Sequence, residues 1–169
     1  MVKRIIIVSV LYLLVSLSFV SSGFAFQFED FKWGSTRAAI VLKLRTKEKD
    51  LMFTTNKRII KYSDTILNDD CSISLEFTPQ TNVLASIKIM WRDKSIGEDV
   101  KQLLTKKYGK LFHPNVFVEE YHWIGATPYE RIVLNFDYAA TTLTYFGGDF
   151  QEKYEEEFEE LLEKEKTRF

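Results

Sequence analysis

Cys71-Ser72-Ile73-Ser74-Leu75-Glu76-Phe77 alternates apolar and polar side chains without a break, and Ile132-Val133-Leu134-Asn135-Phe136 repeats its Ile, Leu and Phe 59 positions later. A period of two places Cys71, Ile73, Leu75 and Phe77 on one side of an extended chain and Ser72, Ser74 and Glu76 on the other, the pattern of a strand buried on one face. Tyr62 and Tyr121 keep the same 59-residue spacing, and Trp33 and Trp91 each stand shortly before a serine, Ser35 or Ser95, suited to opening a helix. Recurrence at a fixed spacing is the mark of a duplicated unit. The halves fall at about residues 30–92 and 93–148.

Outward from Phe77, Pro79 to Asn82 reads as a turn, Val83 to Trp91 as the next strand, and Arg58 to Ser63 as a weaker preceding one. Ser95-Ile96-Gly97-Glu98 has the form of a capping box, in which the serine oxygen accepts one backbone N–H and Glu98 reaches back to another. Ile96, Val100, Leu103 and Leu104 then fall on one helical stripe, with Gly109 as a natural stop. The counterpart helix begins at Ser35 and runs to about Lys47. In the second half the strands are Val116 to Ile124, Arg131 to Asp137 and Thr141 to Phe146, so each half reads helix, strand, strand, strand. Asp149 with Glu152 three residues on opens a third, acidic helix over 149–166. Its residues Phe150, Tyr154, Phe158, Leu161 and Leu162 form an aromatic and aliphatic stripe. The expected fold is α+β: a tandem helix-strand-strand-strand repeat forming antiparallel sheet packed by helices, closed by an amphipathic helix.

The chain opens Met1-Val2-Lys3-Arg4 and runs from Ile5 to Phe28 without a charge, the organisation of a secretory signal peptide. Small residues at Gly23 and Ala25 place cleavage after Ala25, leaving residues 26–169 as one domain. The alternative is an uncleaved anchor, since about 20 apolar residues span a bilayer. The sole cysteine is Cys71, which excludes both a lipid-attachment cysteine after the signal and an internal disulfide. Residues 26–148 carry 17 basic and 15 acidic side chains, and residues 149–169 carry 4 and 9. A near-neutral body has little counterion-release drive, so nucleic acid is not an expected partner.

Two tandem helix-plus-antiparallel-sheet units, each with its helix start and its Ile-x-Leu-x-Phe strand, resemble the beta-lactamase-inhibitor-protein-like fold, a group that includes small outer-membrane-assembly lipoproteins. The resemblance spans most of residues 27–148. It implies an α+β fold that binds protein, often through a concave sheet face, without a cofactor. No individual functional residue carries over.

Chemistry-bearing residues are sparse. Cys71 with His113 or His122 is the only thiol–imidazole pairing, and Cys71 shares its parity with Ile73, Leu75 and Phe77, as a small buried hydrophobe does. Asn68-Asp69-Asp70 offers oxygens suited to calcium but also reads as a solvated turn. Glu155, Glu156, Glu157, Glu159 and Glu160 spread over what reads as a solvent-facing arc, either solubilising the helix or docking on a basic partner. No phosphate loop, Gly-x-Ser-x-Gly elbow or His-Glu-x-x-His helix is present in the sequence.

Trp33 and Trp91 read as core. Tyr121, Trp123 and Tyr129 are the candidates for a binding surface, because Trp and Tyr are enriched at interface hot spots. Tyr121 and Trp123 share one strand face and Glu120 and His122 the other; parity alone leaves open which face is covered. The expectation is a periplasmic or secreted, non-enzymatic protein-binding module of the bacterial envelope, with no catalytic, metal or cofactor residues. Its partner would be another envelope or extracellular protein, and it would meet membrane only through the signal segment if that is kept. A small-ligand or lipid-binding protein and a hydrolase using Cys71 are the alternatives.

Overall fold

The structure, a computed structural model, describes residues 28, 30–55, 57–109, 111–115, 119–136 and 139–167. The expected signal segment and its cleavage point after Ala25 lie outside the described residues. Helix α1 (Arg37–Thr46) is followed by strands β1 (Met52–Phe53), β2 (Ile59–Ile66), β3 (Asp69–Phe77) and β4 (Leu84–Trp91). Helix α2 (Ile96–Tyr108) is followed by β5 (Phe112–Asn115), β6 (Glu120–Ile124), β7 (Glu130–Phe136) and β8 (Thr141–Gly147), and helix α3 (Asp149–Lys166) closes the chain. All the strands join one antiparallel sheet in the order β1-β2-β3-β4-β8-β7-β6-β5. The α+β class, the antiparallel sheet and the C-terminal helix are as expected.

Several local readings are corrected. The short edge strands β1 and β5 were not expected, and β5 contains Pro114, which an edge strand tolerates because proline has no N–H to give to a second neighbour. The turn expected at Asn68-Asp69-Asp70 is instead a two-residue connection, Leu67-Asn68, with φ of 58° and 64°, and Asp69 already pairs with Ile66. Left-handed turn residues match the right-handed twist of a hairpin, and leucine hides that signal because it rarely takes the conformation. Ser95 makes no side-chain cap; its N–H donates to Asp93 Oδ1 at 2.8 Å, so the capping box does not form. At the other two helices the N-cap is Thr36, whose Oγ1 accepts from the Ala39 N–H, and Gly148 rather than Asp149.

The sheet has one dry face. Ile60 and Tyr62 of β2, Ile73 and Leu75 of β3, Ile87 and Ile89 of β4, and Ile132 and Leu134 of β7 are buried beneath Ile40 and Leu44 of α1 and Val100 and Leu104 of α2. Cross-strand register puts Tyr62 opposite Ile73 and Trp123 opposite Ile132. The residue facing the second Ile-x-Leu-x-Phe strand where Tyr62 faces the first is therefore Trp123, not Tyr121.

Helix α3 lies on the opposite face. Among the described residues no α3 side chain joins the apolar core. Its buried residues are Gln151 and Glu157, while Leu162 of the expected stripe is exposed. The Tyr154 hydroxyl donates to Glu76 Oε1 at 2.8 Å, and the Arg58 guanidinium sits 5.3 Å over the Phe158 ring. Glu157 is not on the solvent arc that the sequence suggested. Its carboxylate accepts from Gln80 N–H at 2.6 Å, Thr81 N–H at 3.1 Å and Thr81 Oγ1 at 2.6 Å, fastening the helix to the 78–82 turn.

Candidate functional site

The face opposite α1 and α2 is built from the polar half of each alternating strand, and the register resolves it into three rows. The first row runs Ile59, Glu76, Ser86, Phe146, Arg131, Ile124 across β2-β3-β4-β8-β7-β6. Helix α3 covers its middle: Tyr154 bonds Glu76, Ser86 Oγ donates to Glu76 Oε2 at 3.1 Å, and Arg131 lies 4.7 Å over the Phe146 ring. The second row is Lys61, Ser74, Lys88, Thr144, Val133, His122, and the third is Ser63, Ser72, Met90, Thr142, Asn135, Glu120.

Among the described residues, nothing covers the second and third rows. Lys61, Ser63, Lys88 and Met90 are exposed and the others half-buried. With strands about 4.8 Å apart, six strands present a platform about 24 Å across. Its central strands β4 and β8 present Lys88 and Met90 beside Thr144 and Thr142, with Ser72, Ser74, Val133 and Asn135 on the strands to either side. His122 Nε2 and Glu120 Oε1 pair at 2.7 Å at the β6 end. Alternation predicts that these residues point away from the core; no local signal says that no described element covers them.

The aromatic candidates divide. Trp123 is in the core, 1 % exposed, so a partner cannot reach its ring while the fold is intact. Tyr121 is half-buried on the same side, stacked on Phe136 at 5.2 Å with the Lys101 ammonium 4.3 Å over it. Tyr129 is half-buried in the turn before β7, where Glu130 Oε2 accepts the Ala126 N–H at 3.0 Å. The structure therefore does not gather the three into one surface. Trp33 and Trp91 pack as expected, Trp91 donating its Nε1–H to Ile66 O at 3.3 Å.

Cys71 lies on the dry face and its Sγ–H points to Asp64 O at 3.4 Å. Burial, then the nearby Asp64 charge, pushes the thiol up to about 11, so at neutral pH it is protonated and a poor nucleophile. His122 is on the other face of the sheet, and the His113 side chain lies outside the described residues. Beside Cys71 an open cleft of about 870 Å³ is lined by Asp64, Asp69, Asp70, Arg92 and Asp93. Three of its carboxylates are engaged: Asp64 with Lys49 at 2.7 Å, Asp70 with Thr65 Oγ1, and Asp93 with the Ser95 N–H. Burial alone would raise Asp64, but hydrogen bonds from Lys49 and the Thr65 N–H hold it below the usual carboxylate range. Among the described residues no group of three or more His, Cys, Asp or Glu could hold a metal ion, and no helix is long and apolar enough to cross a membrane. Comparison with family models, with curated proteins and with solved structures returned no match.

Proposed function

We propose that this chain is an exported, non-enzymatic protein-binding module of the bacterial envelope, and that the two uncovered rows of its sheet are the binding surface. The observation that carries this reading is the asymmetry of the sheet: two helices bury the centre of one face, whereas among the described residues α3 covers only one of three rows on the other. Rows of mostly short side chains around Lys88 and Met90 suit a protein surface, with the methionine adapting to shape and the lysine giving charge selectivity. Export rests on the basic start and the uncharged Ile5 to Phe28 run, with the product periplasmic or secreted.

A duplication also accounts for the architecture. The two halves follow the same element order, the strand order is its own mirror image, and Lys88 faces Thr144 near the middle of the β4–β8 pairing where the halves meet. This organisation supports the resemblance to beta-lactamase-inhibitor-protein-like domains.

The test is capture from envelope extract by the parent and by Thr144→Arg, which plants a long cation in the platform without touching the dry face. Loss of a captured protein in the variant, with an unchanged unfolding midpoint, supports the reading. Equal capture by both rules out this face. N-terminal sequencing of the exported product tests cleavage after Ala25.

A further inference from the structure

We infer that a second copy of this chain docks along the outer side of α2, the two helices lying antiparallel about a two-fold axis. Asp99, Gln102, Leu103 and Lys106 stand at helix positions i, i+3, i+4 and i+7, so they form one stripe. All four are exposed, whereas Ile96, Val100 and Leu104 of the same helix enter the core. The four also line a single open groove of about 420 Å³ with Leu67 and Asn68, the tip of the β2–β3 hairpin. Leu103 is 49 % exposed and Leu67 is 42 % exposed, so two large apolar side chains share this groove.

Leu67 is held where the single chain gains little from it. Its φ of 58° lies in the left-handed region, which suits glycine or asparagine and strains a leucine. The tip is pinned rather than loose: Ile66 packs against the core, and its carbonyl accepts the Trp91 Nε1–H at 3.3 Å. Strain and exposure together at one fixed side chain point to a contact outside the monomer.

The charges on the stripe identify the occupant. Asp99 and Lys106 bracket Gln102 and Leu103 symmetrically, so an antiparallel second stripe brings Asp99 of each copy to Lys106 of the other and each Leu103 to the groove beside Leu67. Parallel alignment would set like charges together, and one orientation is thereby selected. Both charges are available for this. Within α2, Glu98 pairs with Lys101 at 3.0 Å and Lys107 lies 4.9 Å over the Tyr108 ring, while among the described residues neither Asp99 nor Lys106 has an ion pair or ring contact. A two-fold contact closes on itself and gives a dimer rather than a filament. A strip about 20 Å long and about 10 Å wide is well short of the roughly 800 Å² per partner of a standard interface, so the dimer is weak and exchanges. Because α2 covers the dry face, pairing there leaves the platform of each copy open on the far side of its sheet, and the dimer is bivalent.

The test is the concentration dependence of self-association of the full-length chain, by sedimentation in density-matched detergent that solvates the uncharged N-terminal run alike in every form. Asp99→Lys and Lys106→Asp should each weaken the dimer about tenfold, since by symmetry one reversal turns two attractive pairs into two repulsive ones. Mixing the two variants should restore the parent's affinity as a heterodimer, because one copy then carries cations at both positions and the other carboxylates. Asp99 in the first turn and Lys106 in the last also suit the helix dipole. A role confined to the helix would lower the unfolding midpoint of each variant, and mixing would restore nothing. The charge effects should fade as salt rises, whereas Leu103→Ser should weaken association at low and high salt alike. A parent that stays monomeric at its highest soluble concentration, variants that associate like the parent, or a mixture no tighter than the separate variants would each overturn the proposal. Thr144→Arg, on the opposite face, should dimerise like the parent, so this contact and the platform stand or fail separately.

Discussion

Replacing Glu157 by alanine removes the acceptor of three hydrogen bonds, from Gln80 N–H, Thr81 N–H and Thr81 Oγ1, and leaves two turn N–H groups under α3 without a partner. Hydrogen bonds to a charged group are worth about 1.5–3 kcal/mol each and are not additive; a loss of about 3 kcal/mol in the docking of α3 is therefore expected, and about 1 kcal/mol for Glu157→Gln, which keeps an acceptor oxygen. Because α3 adds nothing to the apolar core, the loss should appear first as local opening. Amide exchange in α3 and in residues 79–82 should accelerate while β3 and β7 stay protected, with a smaller shift in the urea midpoint. The effect also has a pH signature. Burial would raise the Glu157 carboxyl, but the hydrogen bonds from Thr81 Oγ1, Gln80 N–H and Thr81 N–H, with the Lys153 charge, hold it below its ordinary value. A depressed carboxylate contributes stability that is fully present above the unfolded value of about 4.3 and is lost as pH falls through the lower folded value. The parent should therefore release α3 below about pH 4, and Glu157→Gln should lack that transition. An alanine variant within about 0.5 kcal/mol of Glu159→Ala, a change at an exposed neighbour, would refute the fastening role.

Four further outcomes follow from the packing. Cys71 should resist thiol reagents at pH 8 in the folded protein and react on unfolding, since its thiol is pushed up to about 11; rapid labelling of the native state would count against its placement. Trp123→Ala should cost about 3–5 kcal/mol in chemical denaturation, whereas Tyr129→Ala in its turn should cost about 1 kcal/mol or less. Ser95→Ala should shift stability by no more than about 0.5 kcal/mol, against about 1 kcal/mol for a serine that caps, because Ser95 makes no side-chain bond to its helix. Gly147→Ala should destabilise by about 1–3 kcal/mol, because the new methyl would lie 2.5 Å from Trp33 Cε3 and 3.0 Å from Ala85 O; a thermal midpoint equal to the parent's would show that Trp33 yields freely.

Features that depend on neighbours along the chain are legible in the residues alone. Strict alternation from Cys71 to Phe77 identifies both the strand and its buried parity, and the Ile96, Val100, Leu103, Leu104 spacing identifies α2, although Leu103 of that stripe is exposed, because period is a local consequence of backbone geometry. Features that depend on pairing at a distance are set by the fold. Only hydrogen bonding between β4 and β8 joins the halves into one sheet, and only that register lines Lys88, Thr144 and Met90 into an open platform. Two-residue β1 has no pattern to read; it is a strand because β2 pairs with it. The burial of Trp123, the side of the sheet that α3 covers and the conversion of Glu157 from a surface acid to a turn acceptor all follow from contacts between residues dozens of positions apart. Parity tells which side chains lie together on a face, but only the fold tells what lies against that face.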